Sequence, residues 1–215
     1  MLNTIKEINE NKVIIIVRGL GLSKLLPLSD ALYEGGVRLM EITYNASDES
    51  TDKETAADIE ALVKHTEGRM LIGAGTVIRK SQVDLTLAAG GKFIISPDTN
   101  PDIIAYTKSK ELVSIPGAFT PSEITAAHRA GADFVKLFPI NALGPDYLKA
   151  IKAPLSHIPI IAVGSVDERN IPDYLAAGAS GFGIGTNFGN PKYLAEGNFK
   201  KVTEAARAYV TASRG

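Results

Sequence analysis

"RAGADFVKLF", residues 129–138, passes from the end of a helix into a strand within ten residues. Gly131 suits the left-handed turn that closes a helix, and Phe134, Val135, Leu137 and Phe138 make an apolar run directly after it. The same joint recurs in "EGGVRLMEI" (34–42), "AAGGKFIIS" (88–96) and "AAGASGFGIG" (176–185). The glycines Gly35, Gly90, Gly131 and Gly178 lie 55, 41 and 47 residues apart. Each gap has room for two strand–helix units with parallel crossovers.

Working outward, eight short apolar runs emerge: 13–17, 39–43, 70–74, 92–96, 112–116, 134–138, 158–163 and 181–185. None alternates strictly with polar residues, as expected of strands covered on both faces. Amphipathic stretches such as "DKETAADIEALVKH" (52–65) and "PSEITAAHRAGA" (121–132) separate them, several opened by Ser, Thr or Asp with Glu three residues on. The pattern predicts one α/β domain over residues 1–215: a (β/α)8 TIM barrel with a short N-terminal helix and spare loops. A doubly wound open sheet is the competing arrangement.

The formal net charge of −1 gives no overall attraction to nucleic acid or to an anionic membrane, so an anionic ligand needs a local site. There is no cysteine, which removes disulfides, thiolate metal ligands and a cysteine nucleophile. The N-terminal apolar run lacks a basic flank and is too short to span a bilayer. The expectation is a cytoplasmic protein. His65, His128 and His157 are scattered and show no metal-ligand spacing, which leaves a metal-dependent mechanism without support.

Charges inside apolar strands carry the functional reading. On a barrel strand Lys136 faces inward with Phe134 and Phe138, near the C-terminal end where barrel enzymes keep their chemistry. Desolvation among apolar groups lowers an amine's pKa, and a fall of about 3 units from ~10.4 raises the neutral fraction at pH 7 roughly a thousandfold. Neutral amines attack ketones to make imines. The competing readings are a snorkelling lysine or a structural ion pair. Glu41 in "LMEIT" stands at the end of another strand and could move protons at the same centre; a salt bridge to Lys136 or Arg18 is the plainer alternative. In "GAGTV" (73–77) small residues allow close approach of a ligand, with Thr76 offering a hydroxyl. Gly164, Ser165, Gly185 and Thr186 end the seventh and eighth runs, where barrels often bind phosphate through backbone N–H groups.

"EIT", "GAGTV", "ISP" (95–97), "IPGAFTPSE" (115–123) and "KLFP" (136–139) occur in the order found in the 2-keto-3-deoxy-6-phosphogluconate / 4-hydroxy-2-oxoglutarate aldolases, and the chain resembles that family from about Val13 to Gly189. The resemblance implies a class I pyruvate aldolase on a barrel, usually a homotrimer, with no metal or organic cofactor. Its ligands would be a phosphorylated keto acid and pyruvate. It implies Lys136 as the Schiff-base residue, Glu41 as proton shuttle, Thr76 at the pyruvoyl end, Pro97 and Phe138 as pocket walls, and the glycine loops as phosphate cradle. Asn45 stands where the phosphogluconate branch carries a carboxylate-binding arginine, and "VGS" replaces that branch's T-G-G through Val163 and Ser165. Asn45, Val163 and "VRG" (17–19) look more like the 2-keto-3-deoxy-6-phosphogalactonate branch. Arg18 is then the candidate for the substrate carboxylate, its planar fork suiting that group. A phosphosugar isomerase or epimerase on the same barrel, and a non-catalytic phosphometabolite-binding protein, are the functional alternatives.

Overall fold

The computed structural model describes residues 1–185 and 191–215. After helix α1 (Leu2–Asn11), strands and helices alternate: β1 (Val13–Val17), α2 (Leu22–Glu34), β2 (Leu39–Thr43), α3 (Asp52–Thr66), β3 (Leu71–Gly75), α4 (Lys80–Ala88), β4 (Phe93–Ile95) and α5 (Pro101–Ser109). The second half runs β5 (Val113–Ile115), β6 (Gly117–Ala118), α6 (Pro121–Arg129), β7 (Val135–Leu137), α7 (Gly144–Lys152), β8 (Ile160–Val163), α8 (Ile171–Ala176), β9 (Gly181–Gly185), α9 (Pro191–Ala195) and α10 (Phe199–Ala212). Every strand pairing is parallel, in the order β5-β4-β3-β2-β1-β9-β8-β7-β6. The two ends of that order, β5 and β6, are separated only by Pro116, which has no N–H for a ladder. They are two halves of one barrel strand, so the sheet closes into the (β/α)8 barrel rather than lying open.

Strand alternation sorts the apolar residues into two shells. Inward-facing Ile14, Leu39, Phe93, Val113 and Phe134 form one cluster, which Ile8 of α1 joins. Outward-facing Ile15, Met40, Ile72, Val135 and Ile160 pack with the helices in the other. Phe93, Phe134 and Ile8 are almost wholly buried, each contributing about 1.5–3 kcal/mol of transfer free energy. α1 thus places apolar side chains against the inner shell, leaving the strands' C-terminal ends for polar groups.

Helix boundaries follow local chemistry. Thr120 caps α6 by accepting from the Glu123 N–H, while the Glu123 carboxylate accepts from the Phe119 and Thr120 N–H groups. Three of the four glycines expected to close helices, Gly90, Gly131 and Gly178, have positive φ. At the fourth joint the left-handed residue is Gly36, φ 99°, and not Gly35. Gly35 serves close packing instead: a Cβ there would come within 2.5 Å of the Ala206 Cβ on α10.

Candidate active site

Glu41 and Lys136 stand on opposite walls of the barrel. From β2 to β7 there are four steps through β3, β4 and the β5/β6 strand, and four through β1, β9 and β8. Glu41 is in register with Ile16 and Gly73, and Lys136 with Gly117 and Ile161.

Glu41 is 1% exposed. Its Oε1 accepts a long hydrogen bond from the Thr43 hydroxyl at 3.4 Å, while Oε2 has no partner. Burial raises its pKa above the ordinary 4.5, opposed by the charges of Lys136 and Arg18 and by the Thr43 bond. No hydrogen bond joins the carboxyl to Lys136, so the plain salt-bridge reading is not what is found. The amine acts on it through space. A buried acid with one unused oxygen can take and return a proton from a water or substrate hydroxyl.

Glycine in "GAGTV" has a different purpose from the one read in the sequence. A Cβ on Gly75 would overlap the Glu41 carboxylate, and one on Gly73 would overlap the Phe93 ring. These glycines make room for other side chains. Gly75→Ala is therefore expected to push the carboxyl from its place and lower turnover by about 100-fold, with a stability cost of about 1–3 kcal/mol. Steady-state rates beside thermal melts test this; turnover within threefold of the parent would show that the carboxyl need not sit there.

Lys136 is half-buried and lines a cavity of about 530 Å³ at the C-terminal ends of the strands. Its Nζ is 5.0 Å from the centroid of the Phe138 ring, which is itself 42% exposed. The cavity brings together nine of the twelve residues singled out from sequence: Arg18, Thr76, Pro97, Lys136, Phe138, Val163, Gly164, Ser165 and Gly185. Glu41 is not among the lining residues and is buried in the barrel wall. Thr186 falls outside the described residues. Asn45 sits elsewhere, in an adjoining cavity of about 480 Å³ whose wall Arg18 shares, and its Oδ1 accepts from the N–H and hydroxyl of Ser47.

Arg18 donates from Nη2 to the Thr76 hydroxyl at 3.2 Å, which joins the residue expected at the substrate's carboxylate to the one expected at its pyruvoyl end. Thr76 and Ser165 both hold left-handed backbones, φ 55° and 50°. Side chains in that region cost about 1–2 kcal/mol each, a strain that tends to collect at ligand sites. Val163 is buried, and Gly183 leaves it space, since a Cβ at Gly183 would lie 2.8 Å from Val163 Cγ2.

Some contributors escaped the sequence reading. Thr43, the hydrogen-bond donor to Glu41, could have been found by counting two residues along the inward face of β2. Asp167, Glu168 and Arg169 line the outer cavity, with Tyr209 from α10. Arg169 donates from its Nε and Nη2 to Asp167 Oδ2, and this holds the Asp167 carboxyl below its usual range. No periodicity marks such loop residues. His128 and His157, far apart in sequence and both exposed, meet edge to face with ring centroids 5.3 Å apart. Among the described residues no group of three or more His, Cys, Asp or Glu could hold a metal ion, and no helix is long and apolar enough to cross a membrane.

Comparison with known proteins agrees with this geometry. The KDPG and KHG aldolase family model matches residues 4–205. The probable 2-dehydro-3-deoxy-6-phosphogalactonate aldolase of Rhizobium meliloti (strain 1021) is 39% identical over 183 residues, covering 85% of this chain and 84% of its own. A native KDPGal structure superimposes with a TM-score of 0.82 at 32% identity, covering 94% of each chain. The KDPG aldolase of Legionella pneumophila, solved with pyruvate captured as a covalent carbinolamine, gives 0.82 at 28% identity over 93% of this chain and 94% of that one. With an amine and a buried carboxyl facing one another across a closed barrel, this chain belongs to the KDPG and KHG aldolase family and is a class I aldolase.

Proposed function

We propose that Lys136 is the imine-forming residue and Glu41 its proton-transfer partner in the cleavage of a 2-keto-3-deoxy-6-phospho sugar acid. The observation that carries this is the placement of an amine lining the cavity opposite a buried carboxyl with an unpartnered oxygen. Lys136 Nζ attacks the C2 ketone, and loss of water gives a protonated imine. Removal of the C4 hydroxyl proton breaks the C3–C4 bond, and the electron pair passes into the imine. Glyceraldehyde 3-phosphate departs. The enamine left on Lys136 is protonated at C3, and hydrolysis frees pyruvate and the amine. Glu41, through a water, relays the protons. The same steps would split 4-hydroxy-2-oxoglutarate into pyruvate and glyoxylate.

Arg18 and Thr76 take the substrate carboxylate, and Pro97 and Phe138 border the reacting carbons. Val163 lies along the substrate chain, while Gly164, Ser165 and Gly185, with Thr186, receive the phosphate. Asn45 acts from the adjoining cavity by leaving the carboxylate to Arg18. The galactonate-derived epimer is the preferred substrate, on the ground that Asn45 and Val163 stand as in that branch and that the Rhizobium meliloti relative bears that name. The whole chain works as one barrel domain, assembled as a homotrimer in the cytoplasm.

Incubation with pyruvate and borohydride tests the central step. A stable mass gain on Lys136 is expected, and labelling elsewhere or none would overturn the assignment. Rates on the gluconate- and galactonate-derived substrates then test the epimer; equal rates would show Asn45 and Val163 to be poor discriminators. Arg18→Ala is expected to raise KM about tenfold or more, as when a charged hydrogen bond worth ~1.5–3 kcal/mol is lost. An unchanged KM would remove Arg18 from the carboxylate site.

A further inference from the structure

A buried polar cluster lies outside the cavity and is not used in the chemistry above. Asp52, the first residue of α3, is 4% exposed and accepts from Arg79 Nη2 on both oxygens, at 3.1 and 2.9 Å. Its Oδ1 also accepts from Gln82 Nε2 at 3.0 Å. Gln82, fully buried on α4, turns its Oε1 back to accept from the Ile78 and Arg79 N–H groups at 3.0 and 3.2 Å. Arg79 Nη1 reaches the Ala46 carbonyl at 3.5 Å.

These bonds join two loops. One follows β2 and leads from Thr43 through Tyr44 to Ala46; the other follows β3 and leads from Gly75 through Thr76 to Arg79. They are also joined where the Tyr44 N–H donates to the Gly75 carbonyl at 2.9 Å. At the far side the Tyr44 hydroxyl meets the Thr86 hydroxyl at 3.1 Å, and Thr86 donates to the Gln82 carbonyl. The result is a closed, partly buried circuit with Thr76 on its span, held in a backbone region that a threonine rarely adopts. Two of the N–H groups that follow Thr76 within three residues end on Gln82, which Asp52 orients.

We infer that Asp52, Arg79 and Gln82 are positioning residues that hold the Thr76 hydroxyl where it meets Arg18, and so set the affinity for the substrate's carboxylate end. The inference rests on the aldolase reading of the cavity. Asp52 and Arg79 do not line the cavity that holds Lys136, and of the residues that line it Thr76 lies directly on the segment their bonds secure. A single guanidinium nitrogen held between both carboxylate oxygens, one of which also accepts from Gln82, is a charge-assisted contact that keeps the Arg79 side chain in place. A displacement of about 1 Å at a remote support can cost as much as ~100-fold in rate.

The test uses Asp52→Asn and Arg79→Lys, each made in the parent chain and on a Thr76→Ala background. Arg79→Lys keeps a counter-charge for Asp52 but loses the second nitrogen that reaches the Ala46 carbonyl, and it answers the question if Asp52→Asn fails to fold. The readout is the pyruvate concentration that half-saturates borohydride trapping on Lys136, with maximal trapping and melting temperature measured beside it. In the parent, a rise of about tenfold in that concentration is expected with maximal trapping retained. On the Thr76→Ala background a further change of no more than about twofold is expected, because coupled sites are not additive. A lowered melting temperature with unchanged half-saturation would make the cluster merely structural and overturn the inference. An equal increase on both backgrounds would also overturn it, by showing that the cluster does not act through Thr76. If the parent itself shows no pyruvate-dependent trapping, the aldolase role of Lys136 fails first, which is a separate result.

Discussion

Lys136→Met is expected to abolish pyruvate trapping by borohydride and to lower turnover by about 10⁴-fold or more, on the scale seen when a catalytic nucleophile is removed. Methionine keeps the length and apolar character of the lysine stem, which shares the barrel interior with Phe134. What is lost is the amine, whose Nζ lies 5.0 Å from the centroid of the Phe138 ring. An exposed contact of that kind is worth about 0.5–1 kcal/mol, so the fold should change little. The substitution has a second consequence across the barrel. The Lys136 charge is the largest influence opposing the burial-driven rise in the Glu41 pKa, and without it the carboxyl holds its proton to higher pH still. On the proposed roles, loss of the nucleophile and loss of a working base therefore occur together. Turnover kinetics and mass spectrometry after borohydride treatment check the first effect, and the pH dependence of the Glu41 carboxyl resonance checks the second. Turnover above about one-hundredth of the parent would mean that another amine, or no amine, forms the intermediate.

The barrel was legible because its signal is repetitive. Gly90, Gly131 and Gly178 close helices before apolar runs, and the physical need for a left-handed residue at those joints leaves a mark that survives loop variation. The failure at Gly35 is instructive. Two adjacent glycines answer two needs, a turn at Gly36 and a close approach to Ala206 at Gly35, and one sequence cannot say which is which. Lys136 and Glu41 stood out as candidates because a charge inside a buried strand is costly and so calls for a reason. Their opposition across the barrel follows from strand count alone. Gly75 was misread because its neighbour, the Glu41 carboxylate, comes from another strand. Asp52, Arg79 and Gln82 were invisible for a similar cause. Each looks like an ordinary exposed residue at a helix start, and only the folded chain brings Arg79 and Gln82 to within 3.1 Å of Asp52.

Glu41→Gln separates chemistry from stability in opposite directions. If Glu41 has the proposed proton-transfer role, its removal is expected to lower turnover by about 10²–10⁴-fold, with pyruvate still able to form some imine at Lys136. Stability should move the other way at neutral pH. The folded-state pKa of Glu41 is raised above 4.5, so the fold favours the protonated acid. Below 4.5 the carboxyl is neutral in folded and unfolded chains alike, and it exerts no penalty. As pH rises from there the unfolded chain releases its proton first, and stability falls until the folded-state pKa has been passed. Glutamine has no such titration. The variant should therefore melt above the parent at pH 7, and the gap should close as the pH is brought down toward 4.5. For a chain of this length each kcal/mol recovered moves Tm by about 2–4 °C. Melting curves of both proteins between neutral and acid pH, run beside steady-state rates, give both readings. A variant that is less stable at pH 7 would mean that the charges of Lys136 and Arg18 outweigh burial, so that the carboxylate form is the one the fold prefers. Glu41 would then be an ion-pair partner of the lysine, and the group that relays the protons would have to be sought elsewhere on the cavity wall.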